Sequence, residues 1–133
     1  MPDRVLVTLD HEVLDADAPF LHADDLAVVR GDGVFETLLV RDGRARVVEG
    51  HLSRLVLSAR ALGLPAPVLD DWRLAIEMAA EEWGTEEEGA LRLVLTRGRE
   101  SGDKPTAFVM VGPVADRVRQ VRESGLSVMT LER

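Results

Sequence analysis

The sequence contains no cysteine. That excludes a disulfide framework, a thiolate metal site and a cysteine nucleophile. Positive charge is also short, with 16 Lys+Arg against 24 Asp+Glu and a formal net charge of -8. Neither a nucleic-acid backbone nor an anionic membrane is therefore expected as a partner. No apolar run approaches the roughly 20 residues of a membrane span. Met1-Pro2-Asp3-Arg4 precedes no apolar leader segment, so a cytoplasmic location is expected. Internal repeats and low-complexity linkers are missing. Lysine is nearly absent: Lys104 stands alone, and the other fifteen basic residues are arginines.

What is present suits a folded unit. The chain has 133 residues, 46% hydrophobic and 30% charged, enough for one domain or for part of a larger protein. Val5 to Leu9, then Asp10-His11-Glu12, then Val13-Leu14 reads as a small hairpin. Residues 15 to 33 read as loop, with room for one short helical turn. Val34 to Val40 reads as a strand with Phe35, Thr37 and Leu39 on one face and Val34, Glu36 and Leu38 on the other. Asp42-Gly43 tolerates the positive φ of a tight turn, so Ala45 to Val48 is expected to return as its partner. Leu52, Leu55, Val56, Ala59 and Leu62 recur at helical spacing, and Gly63 and Pro65 end that helix. A second helix is expected over Asp70 to Trp83, capped by Asp70 or Asp71 and ended by Gly84. Its buried stripe is Trp72, Ala75, Ile76, Ala79, Ala80 and Trp83. Thr85-Glu86-Glu87-Glu88 reads as a solvated acidic loop rather than a metal site. Ala90 to Arg97 and Thr106 to Val111 read as antiparallel strands joined by a polar turn. A short helix over Asp116 to Glu123 and a last strand over Leu126 to Leu131 complete the pattern. The order predicts an α+β fold: a mostly antiparallel sheet with two main helices packed on one face.

Several residues invite a chemical reading. Arg30-Gly31-Asp32-Gly33 precedes a strand rather than a helix, so it is a turn and not a phosphate loop. His11, His22 and His51 do not pair at metal spacing, and no metal site is expected. Arg54, near a helix start, could meet a phosphate beside free backbone N–H groups. On physics alone a surface arginine is the commoner explanation. Arg92 lies on a strand, where an inward-facing arginine needs a partner or a ligand; a solubility charge on an edge strand explains it equally well. Arg97, followed by Gly98, could clamp a carboxylate.

Three motifs together are more specific. Arg30-Gly31-Asp32-Gly33-Val34-Phe35-Glu36-Thr37, then Asp42-Gly43, then His51-Leu52-Ser53-Arg54-Leu55 with Ser58-Ala59 closely resemble the class IV aminotransferases. These are the fold type IV pyridoxal-phosphate enzymes, including 4-amino-4-deoxychorismate lyase and the branched-chain and D-amino-acid aminotransferases. Thr96-Arg97-Gly98 fits the same pattern. The resemblance implies pyridoxal 5'-phosphate as cofactor, with Arg54 on its phosphate. It implies substrate-binding roles for Phe35, Arg92, Arg97 and Arg30, the last near the pocket entrance. Thr37 leans toward the lyase of folate biosynthesis, where its hydroxyl suits proton transfer. Arg92 leans toward branched-chain enzymes. A small-molecule substrate, either an amino acid or aminodeoxychorismate, and a homodimer are implied as partners.

The resemblance also implies a Schiff-base lysine, and Lys104 lies in a polar turn with no family motif around it. A catalytic lysine needs a desolvated pocket to lower its pKa. The expectation is a single domain over residues 1 to 133. It would be the N-terminal half of such an enzyme, inactive alone, with the lysine supplied by a second domain. A reading of another class is a stand-alone, non-catalytic domain that binds an anion or a partner through Arg54.

Overall fold

The computed structural model describes residues 3–133. Six strands form one antiparallel sheet in the order β2-β1-β6-β5-β3-β4. They are β1 (Val5–Thr8), β2 (Val13–Leu14), β3 (Gly33–Arg41), β4 (Arg44–Ala45), β5 (Gly89–Thr96) and β6 (Thr106–Pro113). Four helices accompany them: α1 (Leu26–Arg30), α2 (Val48–Ala61), α3 (Leu69–Trp83) and α4 (Asp116–Ser124).

The period-2 pattern of the strands decides which face is covered. Leu38 and Val40 of β3, Leu91, Leu93 and Leu95 of β5, Val109 and Val111 of β6, and Val5 and Val7 of β1 point the same way and are buried. Against them pack Leu52, Leu55 and Ala59 of α2 and the expected six-residue stripe of α3. The two-layer arrangement of a sheet and two main helices is as expected. The other face stays largely open at β3 and β5. There Phe35 is 68% exposed, while Phe20, from the loop after β2, packs edge-on against Phe108 of β6.

Four details differ from the expectations. The partner of β3 is only two residues long, because Val48 already opens α2. Val68 occupies the N-cap of α3, and Asp70 and Asp71 lie in its first turn, where they favour the positive end of the helix dipole. Glu88 is not simply solvated: it binds Arg41 (2.7 Å) and Arg122 (2.6 Å). Leu126 to Leu131 is not a strand; it runs irregular and exposed. It pairs with none of the sheet's strands, and β propensity expresses itself only against a neighbour.

Candidate active site

The register of β3 against β5 builds the site floor. Phe35 lies opposite Val94 and Thr37 opposite Arg92, so all four side chains share the open face. Gly31, Gly33, Ala27 and Thr96 add a wall, and a cavity of about 460 Å³ results. A second hollow, which also includes Thr37 and Arg92, continues toward Val114, just after β6, and Val118 of α4. The furrow is thus apolar along most of its length, with a hydroxyl and a guanidinium at its middle.

A buried carboxylate fixes the wall. Asp25 is 1% exposed and caps α1 by accepting from the Ala27 N–H (3.0 Å). It also accepts from the hydroxyls of Thr96 (2.9 Å) and Thr106 (2.6 Å). Burial pushes its pKa up, but the hydrogen bonds from Thr106, Ala27 and Thr96 together outweigh that and hold it below the usual value. The Leu26 N–H donates to the Gly98 carbonyl (2.8 Å), which docks α1 onto the end of β5. Gly98 has φ +92, and a Cβ there would overlap the Lys104 carbonyl. Next to Asp25, Asp24 takes the Ser101 hydroxyl (2.6 Å) and Arg99 (2.7 Å). Those bonds pull its pKa down to about 2.

Asp32 of the glycine-rich turn gathers two arginines. Arg97 donates from Nε to its Oδ2 (2.7 Å) and Arg30 from Nη2 (3.0 Å). Arg97, then Arg30, hold the Asp32 carboxyl below its ordinary value. Arg97 also donates to the Leu62 carbonyl at the end of α2 (2.6 Å). Its guanidinium is therefore engaged with the protein, and Arg97 does not line the cavity that holds Thr37 and Arg92. Arg30 sits at the end of α1, next to Gly31 of the wall.

Arg54 stands elsewhere than the helix-start argument placed it. It is the seventh residue of α2, beyond the unpaired N–H groups of the first turn. Its Nε lies 3.3 Å from Glu36 Oε1, while the side chain stays 71% exposed. Glu36 is 5% exposed, and its other oxygen accepts from His51 Nδ1 (2.7 Å). Glu36 is one residue from both Phe35 and Thr37. Beyond Val40, β4 ends, so on that side the first half of β3 has no strand partner among the described residues. Arg54 thus sits near an open sheet edge that borders the furrow.

Glu36 and Asp32 were not singled out by sequence reasoning. A signal existed for Glu36: it occupies the core-facing phase of an apolar strand, where a carboxylate requires a partner. Lys104 is exposed and does not line the cavity. Among the described residues no group of His, Asp and Glu could hold a metal ion. Among them also, no helix is long and apolar enough to cross a membrane.

The family model described as "Amino-transferase class IV" matches residues 33–132. The chain belongs to the class IV aminotransferases. It is 60% identical over 131 residues to the bifunctional aminodeoxychorismate lyase / D-amino acid transaminase of Mycobacterium tuberculosis, covering 97% of this chain and 45% of that protein. A solved structure of a hypothetical aminotransferase from Mycobacterium tuberculosis, in its PLP-bound form, superposes with a TM-score of 0.93 at 59% identity; 98% of this chain and 47% of that chain are covered. The 4-amino-4-deoxychorismate lyase of Pseudomonas aeruginosa superposes with a TM-score of 0.58 at 27% identity, over 73% of this chain and 36% of that one. The class IV aminotransferase chain described here therefore spans about half the length, or less, of the relatives it matches. The α+β fold expected from the sequence is the one these enzymes share over the matched region.

Proposed function

We propose that this chain forms the phosphate-gripping and pocket-lining half of a pyridoxal-phosphate enzyme. Its first activity would be that of a 4-amino-4-deoxychorismate lyase, releasing pyruvate to give p-aminobenzoate. The observation that carries this is the pairing of Thr37 with Arg92 across β3 and β5 on the furrow floor. A hydroxyl and a fixed cation side by side suit a small substrate that bears a carboxylate and must exchange a proton. The relative at 60% identity is named for the lyase and for a D-amino acid transaminase. The transaminase is therefore the second activity of this reading, ahead of a branched-chain one.

The residues present fit the phosphate end of the cofactor. Arg54 keeps its outer nitrogens open to solvent beside the free edge of β3. Arginine meets phosphate through two parallel N–H donors, which exposed Nη groups can supply. Bound pyridoxal phosphate supplies an electron sink. Thr37 holds a proton at its Oγ1 facing the furrow, Arg92 binds carboxylate, and Phe35 walls the pocket. Arg30 acts at the rim. Arg97, anchored on Asp32, serves the substrate through the rim geometry, or directly if a ligand draws it away from Asp32. The covalent lysine comes from outside residues 1 to 133, and the chain alone is inactive. The enzyme acts in the cytoplasm as a homodimer.

The test uses the protein expressed from its complete reading frame with added cofactor. p-Aminobenzoate formation from aminodeoxychorismate is compared with keto-acid-dependent transfer from D-amino acids. Thr37→Val is expected to lower lyase turnover by about 100-fold, the low end for a lost proton-transfer group. Unchanged turnover in Thr37→Val, or no activity of either kind in the unmodified protein, overturns the reading. The stand-alone anion-binding alternative predicts that last result.

A further inference from the structure

We infer that Glu36 is a positioning residue for Arg54, holding its guanidinium so that the two outer nitrogens face an incoming phosphate. The inference rests on the phosphate reading of Arg54 and deepens it. Among the described residues Glu36 is one of three buried polar residues, together with Asp25 and Thr96. The other two bind each other, which leaves Glu36 to be explained separately. A buried carboxylate is costly unless paired. Glu36 has a cationic or hydrogen-bonding neighbour at each oxygen: His51 at 2.7 Å and Arg54 at 3.3 Å.

The arrangement has a direction. His51 and Arg54 are three residues apart on α2, one turn of one helix face. A carboxylate accepts only, so His51 must carry its proton on Nδ1. That bond fixes Glu36 between β3 and α2. Glu36 in turn meets Arg54 at Nε, the inner nitrogen. Nη1 and Nη2 remain at the exposed end of the side chain. Without an anchor, an exposed arginine samples many rotamers, and a phosphate must order it on binding. With Nε tethered, part of that ordering is done in advance. A negative charge near the site opposes phosphate binding. The anchoring effect is expected to dominate, because the carboxylate already has a partner at both oxygens.

The experiment compares pyridoxal 5'-phosphate with pyridoxal, which lacks the phosphate. Equilibrium dialysis of the apo-protein, expressed from its complete reading frame, gives both affinities and their ratio. Arg54→Ala is expected to collapse the ratio. Glu36→Ala is expected to lower it about fivefold, the upper scale of an ion pair with one exposed partner, with pyridoxal affinity unchanged. Glu36→Gln keeps the shape and an uncharged acceptor and is expected to lower it about threefold. Glu36→Gln also carries the test if Glu36→Ala fails to fold. A ratio unchanged or raised in the Glu36 variants while Arg54→Ala collapses it overturns the positioning role and leaves the phosphate reading standing. A ratio unchanged in Arg54→Ala overturns the phosphate reading itself.

Discussion

Replacing Asp25 by alanine probes the anchor of the cavity wall. Three bonds end on this carboxylate: one from a helix N-cap N–H and two from threonine hydroxyls. Losing an N-cap costs about 1 kcal/mol. Each hydroxyl left without its acceptor, Thr96 buried and Thr106 partly buried, adds about 1 kcal/mol. The expected loss is therefore about 3 kcal/mol, a large share of the roughly 5–15 kcal/mol that stabilises a typical domain. With a urea m-value of about 1.5 kcal/mol/M, the midpoint falls by about 2 M. Asp25→Asn keeps the cap and one acceptor, and is expected to cost about 1 kcal/mol. Urea denaturation followed by tryptophan fluorescence reads both, since Trp72 and Trp83 are buried. The acid side gives an independent check. The folded-state pKa of Asp25 is depressed, so its contribution is fully present above the unfolded value and is lost as pH falls through the folded one. Asp25→Ala should therefore flatten the loss of stability below about pH 4 relative to the unmodified protein. A midpoint shift under one third of that expected, or an Asn variant as damaging as the Ala variant, refutes the assignment of the anchor to these three bonds.

Other perturbations follow from single residues. Val47, a β-branched residue 73% exposed, has φ 55 at the N-cap of α2. Val47→Gly relieves that strain and should raise the urea midpoint, with a gain of about 1 kcal/mol. Gly98→Ala must place a Cβ against the Lys104 carbonyl at φ +92; a loss of about 3 kcal/mol is expected in the same assay. Trp83 donates from Nε1 to the Glu87 carbonyl (3.0 Å). Trp83→Phe should cost about 2 kcal/mol through the lost bond and the volume left behind, read by thermal unfolding. Asp24, held at about 2 by Ser101 and Arg99, adds to acid sensitivity. Its contribution persists above about pH 4 and is lost toward pH 2, and Asp24→Asn should remove that part of the pH profile.

Much of this fold was legible because it is periodic. The alternation in Val34 to Val40 and in Leu91 to Leu95 identified strands and their buried faces, and the spacing of Leu52, Leu55 and Ala59 identified α2. The phase of the same alternation placed Phe35 and Thr37 together on the open face. The failures share a cause. Leu126 to Leu131 carries a strand pattern without a partner, which local sequence does not reveal. Asp24, Asp25 and Asp32 sit in a polar loop that looks solvated. Their distant partners lie 65 to 81 residues away in sequence, so these bonds form only when β5 and β6 come together. Arg97 illustrates the same limit: its position after an apolar strand was readable, but its engagement by Asp32 and the Leu62 carbonyl was not.

The central claim is that these residues grip the cofactor and line the pocket while the covalent lysine lies elsewhere. Borohydride reduction of the cofactor-loaded protein, expressed from its complete reading frame, followed by peptide mapping, tests it most directly. The account predicts a pyridoxyl-lysine outside residues 1 to 133. A label on Lys104, or no labelled lysine at all, would contradict it.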